Sequence, residues 1–252
     1  MTTTSDASSD RFAGPTPEER APVPLPARYQ YPWREPFEAP ILERLPDARA
    51  VLDMGSGRHP AIAPERRPNG LRYVGLDLSQ SELDAAGEGA YTEAVAADAT
   101  RMQPQLADQF DLVISWQVLE HVQDLADTVE NVRQYLHPGG TLVTVFSGLW
   151  SAFGIANKVL PNELGHRVVA KVMRRKETNT PVFPAYYDKC YSSALEGVFA
   201  PWTSAEIRPL YRGATYFAFS PVLMRTYLAY ENFACRRNMA NLATHYLVIA
   251  TR

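Results

Sequence analysis

Cysteine is nearly absent from this chain. Its 252 residues include only Cys190 and Cys235, far apart and without metal-ligand spacing. That excludes a disulfide framework, suits a reducing compartment and makes both thiols small buried groups. Charge of one sign is equally scarce. With 25 Lys and Arg against 28 Asp and Glu, the net charge is -3, so no global field draws the chain to nucleic acid or an anionic membrane. The pairs Arg174-Arg175 and Arg236-Arg237 read as solvated helix surface. No run approaches the roughly 20 apolar residues of a membrane span, and no basic start leads into an apolar stretch at the N-terminus. The expectation is a cytoplasmic protein with no membrane span and no nucleic-acid partner. Internal repeats are also lacking.

What is present is an ordinary globular composition, 46% hydrophobic and 21% charged. Residues 1–28 are rich in Thr, Ser, Asp, Pro and Ala, with Pro15, Pro17, Pro22, Pro24 and Pro26 blocking helix and ladder alike, and read as a disordered tail. Residues 29–252 read as one domain. It opens with the aromatics Tyr29, Tyr31, Trp33 and Phe37 before a short amphipathic helix at 37–45. These aromatics either fold over a ligand as a cap or pack on the outer face of a sheet.

Strands are predicted at 50–54, 72–76, 94–97, 111–115 and 141–146, with helices between them, which is the sequence form of a doubly wound α/β sheet. The clearest helix, 125–136, places Leu125, Val129, Val132 and Leu136 on one stripe and stops at His137-Pro138-Gly139-Gly140. The alternation then fails. Residues 147–188 read as an insertion over the strand ends, and a helix at 189–199, a strand at 205–210, a helix at 222–236 and a strand at 245–251 follow. The expected fold is thus Rossmann-like and seven-stranded, mostly parallel with an antiparallel C-terminal strand. An aromatic and helical cap is added by the insertion and by helices within 213–242.

The most informative stretch is Val51 to Pro60, VLDMGSGRHP, with the pattern of a strand, a glycine turn and then a helix. Gly55 and Gly57 permit a tight turn and close approach of a ligand. A third glycine is missing: where G-x-G-x-x-G would close, Pro60 stands, removing a backbone donor that a pyrophosphate would use. Asp77, at the end of the second strand and 22 residues beyond Gly55, suits a ribose contact, or else caps the next helix. Asp98 ends the third strand likewise and reads as a partner for an adenine amino group or as a solvated loop residue.

Five marks in order resemble a class I S-adenosylmethionine-dependent methyltransferase of the bacterial small-molecule type. They are Asp53-x-Gly55-x-Gly57, Asp77, Asp98, the run Phe110 to Ser115 leading into Val118-Leu119-Glu120-His121-Val122, and Leu136 to Gly140 before strand five. The resemblance implies that Asp53, Gly55 and Gly57 hold the methionine end of the cofactor, Asp77 its ribose and Asp98 its adenine. Ser56, Leu78, Ala99, Ser115, Trp116 and Gln117 complete the implied cofactor set. It also accounts for Pro60, since S-adenosylmethionine carries no phosphate.

Related O-methyltransferases bind a metal through Glu-x-x-Glu-His at the position of Gln117 to His121, but Gln117 replaces the first glutamate and no metal is expected. His121 is a candidate base, with packing as the alternative, and His166 in the insertion is a second candidate. Phe183-Pro184-Ala185-Tyr186-Tyr187 looks faintly like a motif of bacterial methyltransferases of polysaccharide or secondary metabolism.

The reading is therefore methyl transfer from S-adenosylmethionine, released as S-adenosylhomocysteine, to a small or medium-sized acceptor, most readily at oxygen, in secondary metabolism or glycan biosynthesis. A non-catalytic module that binds the cofactor or a partner, and an NAD(P)-dependent oxidoreductase, are the alternatives.

Overall fold

The computed structural model describes residues 21–30, 32–151, 154–155 and 184–252. Seven strands form one sheet: β1 Ala50–Met54, β2 Arg72–Asp77, β3 Glu93–Ala96, β4 Phe110–Trp116, β5 Leu136–Ser147, β6 Ser204–Leu210 and β7 His245–Thr251. Their order is β3-β2-β1-β4-β5-β7-β6. The first five run parallel, whereas β7 is antiparallel to both β5 and β6. The expected doubly wound architecture is thus present.

β1 and β4 lie at the centre, which is why Val51, Leu52, Leu112, Val113 and Ile114 are apolar without alternation and almost fully buried. One face packs α1 (Glu35–Arg44), with Phe37 and Ile41 against Val51, Ile114, Val143 and Leu247. The other packs α3 (Leu125–Tyr135) and α4 (Ser192–Val198), whose Leu125, Val129, Val132 and Leu195 meet Leu52, Val113, Phe146 and Tyr246. α3 begins at Asp124, whose side chain accepts the Asp127 N–H, a cap worth about 1 kcal/mol. The sheet edges are the four-residue β3 and β6, which carries Glu206, Arg208 and Pro209.

Three local expectations need correction. No α-helix follows the glycine turn. Residues 55–63 run as turns and bends, and only a 3-10 turn at Pro64–Arg66 precedes β2. Pro60, Pro64 and Pro68 remove three backbone donors from nine residues, and no helix propagates through that spacing. A short helix, α2 (Gln80–Asp84), does follow β2, but its cap is Ser79, which accepts the Glu82 N–H, and not Asp77.

The segment Leu136 to Gly140, read as a helix stop, is already strand. Leu136 pairs with Phe110 and the register then shifts so that Thr141 meets Leu112. The looped backbone finds partners at the C-terminus, Gly139 N–H donating to Arg252 O and Arg252 N–H to Gly140 O, both at 2.9 Å.

Part of the expected tail is packed as well. Residues 1–20 lie outside the described residues, but Val23 is 5% exposed and packs with Tyr29, Ala214 and Met224. The cause is a polar tie to α5 (Pro221–Arg236). Tyr29 OH donates to the buried Glu231 carboxylate and accepts from Ala214 N–H, and Arg28 donates to Tyr211 O and Asn232. The expected insertion at 147–188 is described only at its two ends.

Candidate functional site

The strands β1, β2, β3 and β4 end along one edge of the sheet, and two adjoining cavities lie there, sharing Gly55. The larger, about 380 Å³, is lined by Asp77 and Leu78 after β2, Asp98 and Ala99 after β3, and Gln117, Val118 and His121 after β4. The smaller, about 210 Å³, is lined by Arg34, Asp53, Ser56, His59 and Trp116. Both lie outside the carboxyl ends of parallel strands, where open α/β sheets bind ligands.

Gly55 holds a left-handed backbone, φ 73°, and donates its N–H to Leu76 O at 2.6 Å, fastening the turn to the end of β2. Asp77 is half-buried. Its Oδ1 accepts the Ser79 N–H at 2.9 Å, and burial raises its pKa while backbone N–H groups of Ser79 and Gly57 oppose the rise. Asp98 Oδ1 accepts both the backbone N–H and the hydroxyl of Thr100, at 2.9 and 2.8 Å.

Asp53 is 1% exposed. Its Oδ2 accepts Tyr73 OH at 2.6 Å and Ala61 N–H at 2.7 Å. Burial pushes its pKa up to about 6, against the pull of those two donors and of Arg67 and Arg34.

Gln117 sits in a left-handed conformation, φ 58°, with its N–H on Val145 O. Its Oε1 accepts the Ser147 hydroxyl at 2.9 Å, and the buried Glu120 accepts Ser147 N–H at 3.2 Å. Glu120 and Gln117 thus point to the end of β5, and burial raises the pKa of Glu120. His121 turns elsewhere, its Nδ1 lying 3.0 Å from Pro184 O. A carbonyl oxygen only accepts, so Nδ1 is the donor in this contact, and in a neutral ring the lone pair is on Nε2. The three side chains therefore do not converge, and no metal-holding group of His, Cys, Asp and Glu occurs among the described residues.

The far end of the insertion returns over the larger cavity. Tyr186 and Tyr187 both donate backbone N–H to Glu120 O, at 2.8 and 3.0 Å, and Gln123 donates to Tyr186 OH. Pro184 and Tyr186 line the cavity as a result.

Of the N-terminal aromatics, Tyr29 and Phe37 are core and Trp33 packs on His245 at 4.7 Å, and none of them lines a cavity; Arg34 does line the smaller one and lies over the Trp116 ring at 4.9 Å. His245 is buried and held neutral, its pKa pushed down to about 3 by burial and Arg212.

Of the expected cofactor residues, Asp53, Gly55, Ser56, Asp77, Leu78, Asp98, Ala99, Trp116 and Gln117 line one cavity or the other. Ser115 does not. It is fully buried in β4, one residue short of the strand end. Gly57 lines neither cavity but stands next to Asp77, a Cβ there lying 3.4 Å from Oδ2. His121 lines the larger cavity, and His166 falls outside the described residues. Sequence reasoning missed Arg34, whose only signal was a lone cation among aromatics, and the post-insertion pair Pro184 and Tyr186, which had been noted only as a faint motif.

A methyltransferase domain family model matches residues 27–158, more than half of the chain. The chain belongs to this methyltransferase family. The matched region carries all five marks that resembled S-adenosylmethionine-dependent methyltransferases, and the reading of an enzyme of that class stands. Among similar proteins are ubiquinone biosynthesis O-methyltransferases. That of Chelativorans sp. (strain BNC1) is 31% identical over 128 residues, 49% of each chain, and that of Bradyrhizobium diazoefficiens is 31% identical over 110 residues, 42% of this chain and 43% of its own. The chain therefore spans about half the length of the curated relatives it matches.

Two solved methyltransferases share the fold. Haemonchus contortus phosphoethanolamine N-methyltransferase 2, in complex with S-adenosyl-L-methionine, aligns with 87% of this chain and 52% of its own at TM-score 0.53 and 16% identity. A Haloferax volcanii methyltransferase, solved with the Trm112 methyltransferase activator, aligns with 86% of this chain and 91% of its own at TM-score 0.56 and 17% identity.

Proposed function

We propose that the protein transfers the methyl group of S-adenosylmethionine to a hydroxyl oxygen of a small or medium-sized acceptor. The observation that carries the cofactor is the larger cavity, which has Gly55 at its floor and the carboxylates of Asp77 and Asp98 at neighbouring strand ends. The donor set fits this ligand. An adenosine needs acceptors for ribose hydroxyls and an amino group, which Asp77 and Asp98 supply. A pyrophosphate needs the free N–H groups of a helix start, which the proline-broken loop does not offer. The same observation weighs against a nicotinamide enzyme.

Asp53 would face the ammonium of the methionine end and Arg34 its carboxylate, since both line the smaller cavity. When bound, the cofactor supplies an electrophilic methyl carbon; the protein's part is alignment, holding the acceptor oxygen about 3 Å away. His121 is assigned the role of proton acceptor, supported by its place in the cavity lining and by an Nδ1 contact to Pro184 O that leaves Nε2 uncommitted. Oxygen as the methylated atom is supported by the O-methyltransferases among the relatives. The acceptor is assigned to the larger cavity beside Pro184 and Tyr186, and the setting to bacterial secondary metabolism or glycan biosynthesis in the cytoplasm. Support for the setting is the Phe183 to Tyr187 motif, two free thiols and no helix among the described residues long and apolar enough to cross a membrane.

The test is titration calorimetry with S-adenosylhomocysteine, followed by incubation with methyl-labelled cofactor and extracts of the source organism. Binding and a labelled small-molecule product are expected. Absence of binding to folded protein rejects the cofactor; binding without transfer to any acceptor favours a non-catalytic module.

A further inference from the structure

The glycine loop lacks the helix that would ordinarily hold it, yet it is held. Its near end is fixed by Tyr91, whose hydroxyl lies 2.7 Å from both Ser56 Oγ and Gly57 O. Its far end is fixed by Tyr73 at the start of β2. The Tyr73 hydroxyl donates to Asp53 Oδ2 at 2.6 Å and accepts the Ile62 N–H at 3.2 Å, while Ala61 N–H reaches the same Asp53 oxygen at 2.7 Å. The two rings stack, centroids 6.1 Å apart and 11° between planes. Arg67 covers the Tyr73 ring, its guanidinium 3.6 Å from the ring centroid, and spans Ile62 O and Ala90 O.

Tyr91 also explains a second glycine. A Cβ on Gly75, in the middle of β2, would stand 2.6 Å from the Tyr91 ring. Packing alone would be met by phenylalanine at both positions. What phenylalanine lacks is the pair of hydroxyls, and both are spent on the loop.

We infer that Tyr91 and Tyr73 are positioning residues for the cofactor loop, setting through two side-chain hydroxyls the backbone conformation that a following helix sets in other nucleotide-binding turns. The inference rests on the cofactor reading above. Neither tyrosine lines a cavity, so each acts through Ser56, Gly57 and Asp53. A loop held in this way keeps its ligand-facing groups in place before binding, which lowers the ordering cost of association.

The decisive variant is Tyr91→Phe, which keeps the ring over Gly75 and removes only the hydroxyl. Calorimetry with S-adenosylhomocysteine is expected to show Kd raised about 3- to 10-fold, the range for one net hydrogen bond, with thermal unfolding close to wild type and kcat at saturating cofactor within about twofold. Ser56→Ala should be coupled to it: the double variant should lose less affinity than the product of the two single losses. Gly75→Ala, which drives the Tyr91 ring away, should weaken binding at least as much and provides a second variant should Tyr91→Phe fold poorly. Wild-type Kd in folded Tyr91→Phe and in folded Gly75→Ala overturns the inference. So does a loss of affinity in Tyr91→Phe matched by an equal fall in kcat and a lowered melting point, which marks general damage. Failure of the wild-type protein to bind S-adenosylhomocysteine removes the cofactor reading itself, and is thereby told apart from failure of the tyrosine roles.

Discussion

Gly55 and Val118 face each other with no room between them: a Cβ added to Gly55 would stand 2.3 Å from Val118 Cγ2. The turn after β1 and the turn after β4 are therefore fitted to each other, and Val118 is also a wall of the larger cavity. Gly55→Ala is expected to abolish detectable binding of S-adenosylhomocysteine, because the clash adds to the cost of about 1–2 kcal/mol for a side chain in the left-handed region. Val118→Ala in the same chain should restore part of the affinity by removing the clash but not the backbone strain. Calorimetry on the single and double variants checks this, and no recovery in the double variant would show that the clash is not the cause.

Asp77 and Asp98 should not be equivalent. Asp98 is the more exposed carboxylate, with Arg101 4.0 Å away and its Oδ1 already bonded to Thr100, whereas Asp77 is half-buried beside Gly57, where a charged hydrogen bond to a ligand is less screened. Asp77→Asn is expected to weaken cofactor binding by about 10- to 100-fold, the loss of charged hydrogen bonds worth about 1.5–3 kcal/mol, and Asp98→Asn by less than about 10-fold. Comparison of the two Kd values with near-unchanged melting points tests the assignment.

Asp53 links pH to both stability and binding, in opposite directions. Its folded pKa, about 6, lies above the ordinary carboxylate value of 3.8, so the folded state binds the proton more tightly than the unfolded one. The stability it contributes is full below pH 3.8 and is lost as the pH rises through 6. Relative to Asp53→Asn, the wild type should therefore gain stability as the pH falls from 7, by about 2.5 kcal/mol at pH 4 and about 3 kcal/mol well below pH 3.8. An ammonium beside Asp53 favours the ionised form, so cofactor affinity should fall as the pH drops below 6. Denaturant unfolding and calorimetry across this range follow the two trends. A flat affinity profile in the wild type would place the ammonium away from Asp53.

His121→Asn tests the proton acceptor. An amide there retains a donor toward Pro184 O but carries no basic nitrogen, so kcat should fall by about 100-fold or more with cofactor Kd within about threefold. Unchanged turnover would move the base elsewhere.

The strands and the carboxylates at their ends are legible because they depend on local pattern. Ala50 to Leu52 in β1 and Leu112 to Ile114 in β4 are apolar runs, and Asp77 and Asp98 stand at or just past the ends of β2 and β3. The loop was less legible. Pro60 weighs against a phosphate site, yet the pattern still predicts a helix, since nothing local in the sequence announces the Tyr73 hydroxyl on Ile62, 11 residues back, or the Tyr91 hydroxyl on Ser56, 35 residues back. Asp53 to Tyr73 and Tyr91 to Ser56 are contacts of tertiary origin, invisible to periodicity. Arg34 is similar: its position depends on α1 docking against Trp116, which no spacing rule encodes.

The two ends of the sheet bear on how the molecule behaves when crowded. A bare strand edge invites a strand from another molecule. Here one edge is only four residues long, and the other places Pro209, which has no N–H to offer, beside the exposed pair Glu206 and Arg208. Edge-to-edge pairing with a strand of another molecule is thus discouraged at both margins of the sheet.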